Sequence, residues 1–309
     1  MKKMILIDGN AILHKAFHAL PPFHNSKGVL VNAVYGFASM LLNLLNLQKP
    51  DYIACTFDMK AKTFRHVEYA DYKATRTKAP QELYDQLPLI KEMVAAFNIP
   101  IYEKEGFEAD DLLGCLAARC EKLPDVEAFI VTGDLDTLQL VSERVKIFAM
   151  HRGFSKPIIF DRQGVYDKCG LWPEQIADMK GLQGDSSDNI KGVLGIGQKT
   201  TLELLQKYGS LEGVYEHLEE IKGATRKKLE AGRESAFLSK RLATIVCEIE
   251  GLEVDLEACT VHDYSPEELG RIFDELEFKS LAERVRKFNF TSDAKKKEIA
   301  QEKVQESLF

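Results

Sequence analysis

Carboxylates follow the apolar runs of this 309-residue chain with unusual regularity. Asp8 closes KKMILID, Asp58 closes YIACTFD, and Asp134 and Asp136 follow EAFIVTG. Glu108, Asp110 and Asp111 open a helix-like run in GFEADDLLG, and Asp185 and Asp188 lie in GDSSDN. Taken singly, each could be a helix cap or a turn residue. Brought together, nine acids repel one another and require cations. Oxygen donors of this kind suit Mg2+ or Mn2+, which keep several waters when bound. Two such ions about 3.5–4 Å apart can activate a water on one side of a phosphodiester and stabilise the departing oxygen on the other. No Ser, Cys or His triad stands out as an alternative. His14 and His18 have a zinc-like HxxxH spacing, but no third ligand of that type accompanies them, so they read as packing or surface residues.

The elements that must position these acids can be read from apolar periodicity. Strand-like runs fall at 3–7, 52–57, 126–131 and 145–150, with helix-like patterns at 33–45, 82–97 and 109–123. Strands alternating with helices predict an α/β fold with a central, mostly parallel sheet. Sites in such sheets form beyond the carboxyl ends of the strands, where Asp8, Asp58 and Asp134 all stand. Residues 59–80 are polar, basic and aromatic, with no apolar stripe, and read as an exposed, mobile excursion after Asp58. Beyond residue 160 the chain reads as short helices. The expected domains are 1–160 (catalytic α/β, with an arch at about 59–98), 161–290 (helical) and 291–309 (a charged, flexible tail).

The net charge of −7 argues at first against a nucleic-acid partner, but the nine acids account for more than all of it. Charge location then matters more than the total. Basic residues cluster at Lys60, Lys62, Arg65, Lys73, Arg76 and Lys78, and again at Arg226, Lys227, Lys228, Lys240 and Arg241. Six cysteines without a CxxC pair suit reduced thiols in a cytoplasmic protein, not zinc or disulfides. No apolar run is long enough to span a membrane, and the N-terminus reads as a strand.

GVLGIGQKTTLELL (192–205) nearly matches a phosphate-binding loop, but Gln198 stands where GxxxxGK[ST] needs Lys, which argues against an NTPase. The remaining functional reading is a helix–hairpin–helix type turn at about 185–207. In it Gly192, Gly195 and Gly197 would let backbone N–H groups approach a DNA phosphate, with Lys199 adding charge.

Together the blocks LIDGN, NAVYGF, FRH…YKATR, YEKEGFEADDLLG, VTGDLDTLQL and KGLQGDSSDNIKGVLGIGQKT resemble, in order, those of the structure-specific 5′-nuclease (flap endonuclease) family, nearest to its bacterial 5′–3′ exonuclease branch. The resemblance covers about residues 1–290. It implies a sheet with a helical arch and a helix–three-turn–helix motif, and hydrolysis near a DNA 5′ end, nick or flap junction with two Mg2+ or Mn2+ ions. By motif position Asp8, Asp58 and Asp110 would hold the first metal, with Glu108 and Asp111 beside it. Asp134, Asp136, Asp185 and Asp188 would hold the second. Lys73 and Arg76 would polarise the scissile phosphate and Tyr72 would stack on an unpaired base. Lys191 and Thr200 join the glycines and Lys199 in the duplex-gripping turn, where the family often binds K+. Lys191 and Leu194 replace prolines usual in the family, which would loosen that turn.

The resemblance further implies a monomer acting in replication and repair, with RNA-primer junctions as additional substrates. The final QESLF, through Gln305, Leu308 and Phe309, resembles a motif that docks on the bacterial sliding clamp. The chain stops short of any polymerase segment and reads as a free-standing nuclease or a piece of a longer polymerase. Two rival readings are a catalytically weak DNA-binding module, which would lack some of the nine acids, and a PIN-like RNase, which would lack the glycine turn.

Overall fold

The computed structural model describes residues 1–150, 158–262 and 264–287. The tail at 291–309, with Gln305, Leu308 and Phe309, therefore lies outside the described residues. The continuous apolar run MILI forms the heart of β1 (Lys2–Asp8), the middle of a six-stranded sheet. The other strands are β2 (Tyr52–Thr56), β3 (Ile101–Tyr102), β4 (Val126–Thr132), β5 (Val145–Ala149) and β6 (Ile158–Phe160), in the order β3-β2-β1-β4-β5-β6. All neighbours run parallel except β5 and β6. The sheet is covered on both faces, as parallel sheets are. Ile5, Ile7, Ile53, Cys55, Phe129 and Val131 belong to one core, and Met4, Leu6, Ala54, Ala128 and Ile130 to the other, the alternation a pleated strand imposes.

The first face carries α1 (Gly9–Ala19), α2 (Asn32–Gln48) and α5 (Leu87–Ala96), and α6 (Ala109–Glu121) covers the second. The excursion after β2 holds only the short α3 (Phe64–Glu68) and α4 (Gln81–Tyr84). It is narrower than the expected arch, because Ile90, Met93 and Val94 make α5 a core helix. Nor is it wholly exposed, since Thr63, Arg65 and Tyr72 are buried.

The helical unit comprises α7 (Arg162–Cys169), α8 (Ile176–Gln183), α9 (Gln198–Tyr208), α10 (Leu211–Glu216) and α11 (Gly223–Ala243), around a core of Leu182, Val193, Leu205, Leu211 and Leu229. It does not extend to 290 as expected. The last helices among the described residues, α12 (Pro266–Glu275) and α13 (Lys279–Lys287), return to the first core, where Leu269, Ile272, Phe273 and Leu281 pack with Phe37 and Phe97. The returning chain is stitched to the sheet on its way: Ile53 N donates to Cys259 O at 2.7 Å and Val261 N to Asp51 O at 2.9 Å.

Candidate active site

The strand order decides where the acids go. The connections from β1 lead to β2 on one side and, later, to β4 on the other, so the carboxyl end of β1 is the sheet's switch point. Asp8 ends β1, Asp58 lies just beyond β2, Glu108 and Asp110 open the helix after β3, and Asp134 follows β4. Asp8, Asp58, Glu108, Asp110 and Asp134 line one cleft of about 250 Å3, with Asn10, His14, Lys73 and Arg76.

Each carboxylate is aimed by local bonding. Asp8 caps α1, accepting from Ala11 N at 2.9 Å, and its other oxygen accepts from Thr132 Oγ1 at 2.7 Å. Asp58 accepts from Ala109 N at 2.7 Å and from the amide of Asn10. Asp134 accepts from Asp136 N at 2.9 Å while its own N–H donates to Thr132 Oγ1 at 2.9 Å. Thr132 thus links Asp8 to Asp134. Asn10, Thr132 and His14 were not singled out by the sequence reading as site residues, although Asn10 stands in LIDGN next to an assigned acid.

The cost of this convergence appears in proton affinities. Burial, reinforced by Asp134 and Asp58, pushes Asp8 up to about 6. Burial and the charges of Asp8, Asp134 and Asp58 hold Asp110 well above the usual carboxylate range. As they stand, no three acidic, imidazole or thiol groups among the described residues close to metal-holding distance.

A testable pH dependence follows. Asp8 binds its proton more tightly folded (about 6) than unfolded, where an aspartate titrates near ~3.9. Across that window the native state holds more protons, so stability falls as pH rises through it. Thermal denaturation in chelator should give a lower Tm at pH 7 than at pH 5, and Mg2+ should narrow the gap by binding only the folded cluster. Asp8→Asn should also flatten the dependence. A Tm in chelator that rises over this range would contradict the assignment.

The remaining acids form a second group held by the protein's own cations. Lys180, on α8 and almost wholly buried, bridges Asp136 and Asp185, the latter at 2.6 Å. Burial alone would raise Asp185, but Lys180 and Ser187 overcome it and hold the carboxyl at about 2. Asp188 pairs with Arg76 at 2.5 Å, and Glu108 with Lys73 at 2.9 Å. Lys73 adopts φ 55°, a left-handed backbone that costs a non-glycine residue about 1 kcal/mol, while its N–H donates to Asp188 O at 2.9 Å. A cation entering at Asp136 and Asp185 must displace an ammonium, whereas Asp8, Asp58 and Asp134 are held by neutral hydroxyl, amide and backbone N–H donors.

Two assignments change. Asp111 does not sit beside the cleft: it is fully buried, with Arg65 bonded to both its oxygens at 2.7 Å and Val246 N donating to Oδ1 at 2.9 Å. Its lone pairs are committed to this brace. Tyr72 is 3% exposed and packs with Ile190 and Leu242, and its hydroxyl bonds Glu108 and Asp188 at 3.1 Å each. A ring so enclosed offers no face for a base to stack on.

The glycine turn lies between α8 and α9. Gly184, Gly192 and Gly195 have positive φ, and a Cβ on Gly192 would stand 2.2 Å from Gly184 N, so that position admits only glycine. Gly197 precedes α9 without a side-chain cap, leaving first-turn N–H groups open beside exposed Lys199 and half-buried Thr200. Lys191 is exposed, its ammonium over the Tyr69 ring, and Leu194 projects 92% exposed from the tip. The second basic group is largely spent on internal partners. Arg226 pairs with Glu219 and Glu230, Lys240 with Asp178 and Glu212, and Arg241 with Glu68.

Two adjoining family models match the sheet domain with its cleft and the helical unit that follows it. The model for the 5′–3′ exonuclease N-terminal, resolvase-like domain matches residues 3–170, and that for the 5′–3′ exonuclease C-terminal SAM fold matches 171–267. The chain belongs to the 5′–3′ exonuclease family. Among its relatives, DNA polymerase I of Caldicellulosiruptor bescii is 45% identical over 285 residues, or 92% of this chain, and that of Bacillus subtilis is 41% identical over 285 residues, again 92% of the chain. The chain spans about a third of the length of these relatives, 33% and 32% respectively. The fold is shared with T5 5′-exonuclease carrying bound zinc (TM-score 0.65, 19% identity, covering 93% of this chain and 98% of that one). It is also shared with the catalytic core of Rad2 in complex with DNA (TM-score 0.60, 14% identity, covering 90% and 88%). Among the described residues no helix is long and apolar enough to cross a membrane.

Proposed function

We propose that this chain hydrolyses phosphodiesters near DNA 5′ ends, nicks and flap junctions with two divalent ions, Mg2+ or Mn2+. The observation that carries the reading is the cleft itself, where acids from four strand ends face Lys73 and Arg76 across about 250 Å3. The donor set fits such ions: it is all oxygen, its crowded charges raise the proton affinity of Asp8 and Asp110, and Asp8, Asp58, Asp110 and Asp134 would hold the first ion with Glu108 alongside. Asp136, Asp185 and Asp188 would join Asp134 around the second, once Lys180 and Arg76 give way. Bound ions would supply activation of water and stabilisation of the departing oxygen.

The chain supplies the rest. Lys73 and Arg76 are held at the cleft by Glu108 and Asp188, and an arriving phosphate would exchange those carboxylates for its own oxygens. Thr132 and Asn10 keep Asp8 and Asp58 from turning away. The outer part of the turn, from Leu194 to Thr200, with Lys191 and Lys199, would grip the duplex backbone through its open N–H groups and charge; Gly192, expected to join it, is buried with its N–H already donated to Ser239 Oγ. A K+ ion at this turn would share the Gly192 and Gly195 carbonyls with Ser235 and Lys228, which already donate to them. The reading as a catalytically weak module expects some of the nine acids to be missing, and all nine are present. The proposal places the chain in the cytoplasm, in primer removal and repair.

The test is a set of 5′-labelled flapped, nicked and blunt duplexes, with DNA or RNA at the 5′ end, incubated with Mg2+ or chelator. Short 5′ products in Mg2+ alone are expected, and no Mg2+-dependent product from any substrate would sink the proposal. Monomeric action and docking of Gln305, Leu308 and Phe309 on a sliding clamp complete it. Deletion of 305–309 should weaken clamp affinity, and an unchanged affinity would remove that part.

A further inference from the structure

Four residues of α11 meet the glycine turn along one stripe of the helix. Lys228, Gly232, Ser235 and Ser239 are spaced four, three and four apart, which places them on one face. Ser239 Oγ accepts from Gly192 N at 3.0 Å, and Ser235 Oγ donates to Gly192 O at 2.6 Å. Gly232 lets Val193 approach: a Cβ there would stand 2.8 Å from Val193 Cγ1. Lys228 Nζ donates to Gly195 O at 2.9 Å, and its terminal atoms lie 3.0 Å from where a Cβ on Gly195 would be. Every contact of the stripe falls on turn residues 192–195.

We infer that this stripe is a positioning device for the turn, and that Lys228 acts in it as a resident cation on the Gly195 carbonyl, not as a phosphate ligand. Three features point the same way. Gly192 and Gly195 both have positive φ, a region in which a glycine segment is otherwise free to choose among many conformations. No proline stiffens the segment, which reads Ile-Lys-Gly-Val-Leu-Gly-Ile-Gly from 190 to 197. The turn's own N–H groups can meet a backbone phosphate together only if the carbonyls are turned away, and the hydroxyl of Ser235 and the ammonium of Lys228 hold two of them. The rigidity comes from the neighbouring helix instead of from the turn's own sequence.

The inference rests on the turn being a duplex grip, and the test separates the two. Duplex affinity would be measured by anisotropy over a range of salt for wild type, Lys228→Met, Ser235→Ala and Lys199→Met, with amide hydrogen exchange of residues 192–197 in the free proteins. A phosphate contact contributes a slope of about −0.9 in log K against log salt, whereas a bracing residue contributes none. Lys228→Met should lower affinity about tenfold at every salt with the slope unchanged, the loss of roughly one charge-assisted hydrogen bond. Exchange at 193–197 should quicken, and Ser235→Ala should act in the same direction. Lys199→Met should instead reduce the slope by about 0.9. A reduced slope in Lys228→Met would make it a phosphate ligand and overturn the inference, as would unaltered exchange in both Lys228→Met and Ser235→Ala. If Lys199→Met leaves affinity and slope untouched, the duplex-grip reading fails, and the exchange data still decide the bracing.

Discussion

Replacing Asp134 by Ala should reduce cleavage of a 5′-labelled flap by on the order of 10³-fold or more. A metal-holding carboxylate secures several kcal/mol of transition-state stabilisation, and each 1.36 kcal/mol is about tenfold in rate. Asp134 is the acid through which the cleft's two groups meet. It lines the cleft with Asp8 and Asp58, its carboxylate accepts from Asp136 N, and Thr132 ties its backbone to Asp8. The substitution need not disturb the fold. Asp134 contributes to the repulsion that raises Asp8 and Asp110, so its loss should leave metal-free Tm unchanged or higher. Lost cleavage with a retained Tm is the expected pair of results. Undiminished cleavage would refute the metal role, and a collapsed Tm would show that the acid serves the fold.

The second large effect is on stability. Arg65→Ala should cost about 3–5 kcal/mol in a denaturant titration, because it strands a buried carboxylate. Asp111 has no exposure, and Arg65 engages both its oxygens while also donating to Leu242 O and Thr244 O at 2.8 Å. One guanidinium therefore joins the excursion after β2, helix α6 and the chain leaving α11. Removing both charges together, as Arg65→Met with Asp111→Leu, should recover much of the loss, since a buried pair is often worth little against an apolar replacement. A single variant as stable as wild type would show that the brace carries no weight.

Much of this was legible in the sequence, for identifiable reasons. β1, β2 and β4 each carry a continuous apolar run, so the sequence alone puts Asp8, Asp58 and Asp134 at one edge. β3 and β6 have two and three residues, too short to leave a periodic signal. Asp110 and Asp111 illustrate the limit. Consecutive residues on a helix point about 100° apart, so the two could not both face the cleft, yet the motif alone does not say which one turns inward. Tyr72 was read as exposed because its neighbours are polar, but it is buried by Ile190 and Leu242, distant in sequence. Lys180 was invisible for a similar reason: only the fold brings Asp136 to a lysine of α8. Short helices were expected throughout this part of the chain, SPEELGRIFDEL (α12) among them, but amphipathicity does not name the partner surface, and that of α12 and α13 is the sheet's first layer.

That return of the chain has a mechanical consequence. A unit attached by one linker can swing, whereas this one leaves the sheet after β6 and comes back to it at residues 259–261, stitched to the start of β2. Two anchorages and the Arg65 brace between them make the helical unit an inset rather than a pendant. The separation between the glycine turn and the acid cleft is thereby set by the scaffold, as on a caliper with its jaws locked. On the function proposed above, with duplex held at one jaw and cut at the other, the position of the cut would be a length built into the protein, indifferent to the bases in between.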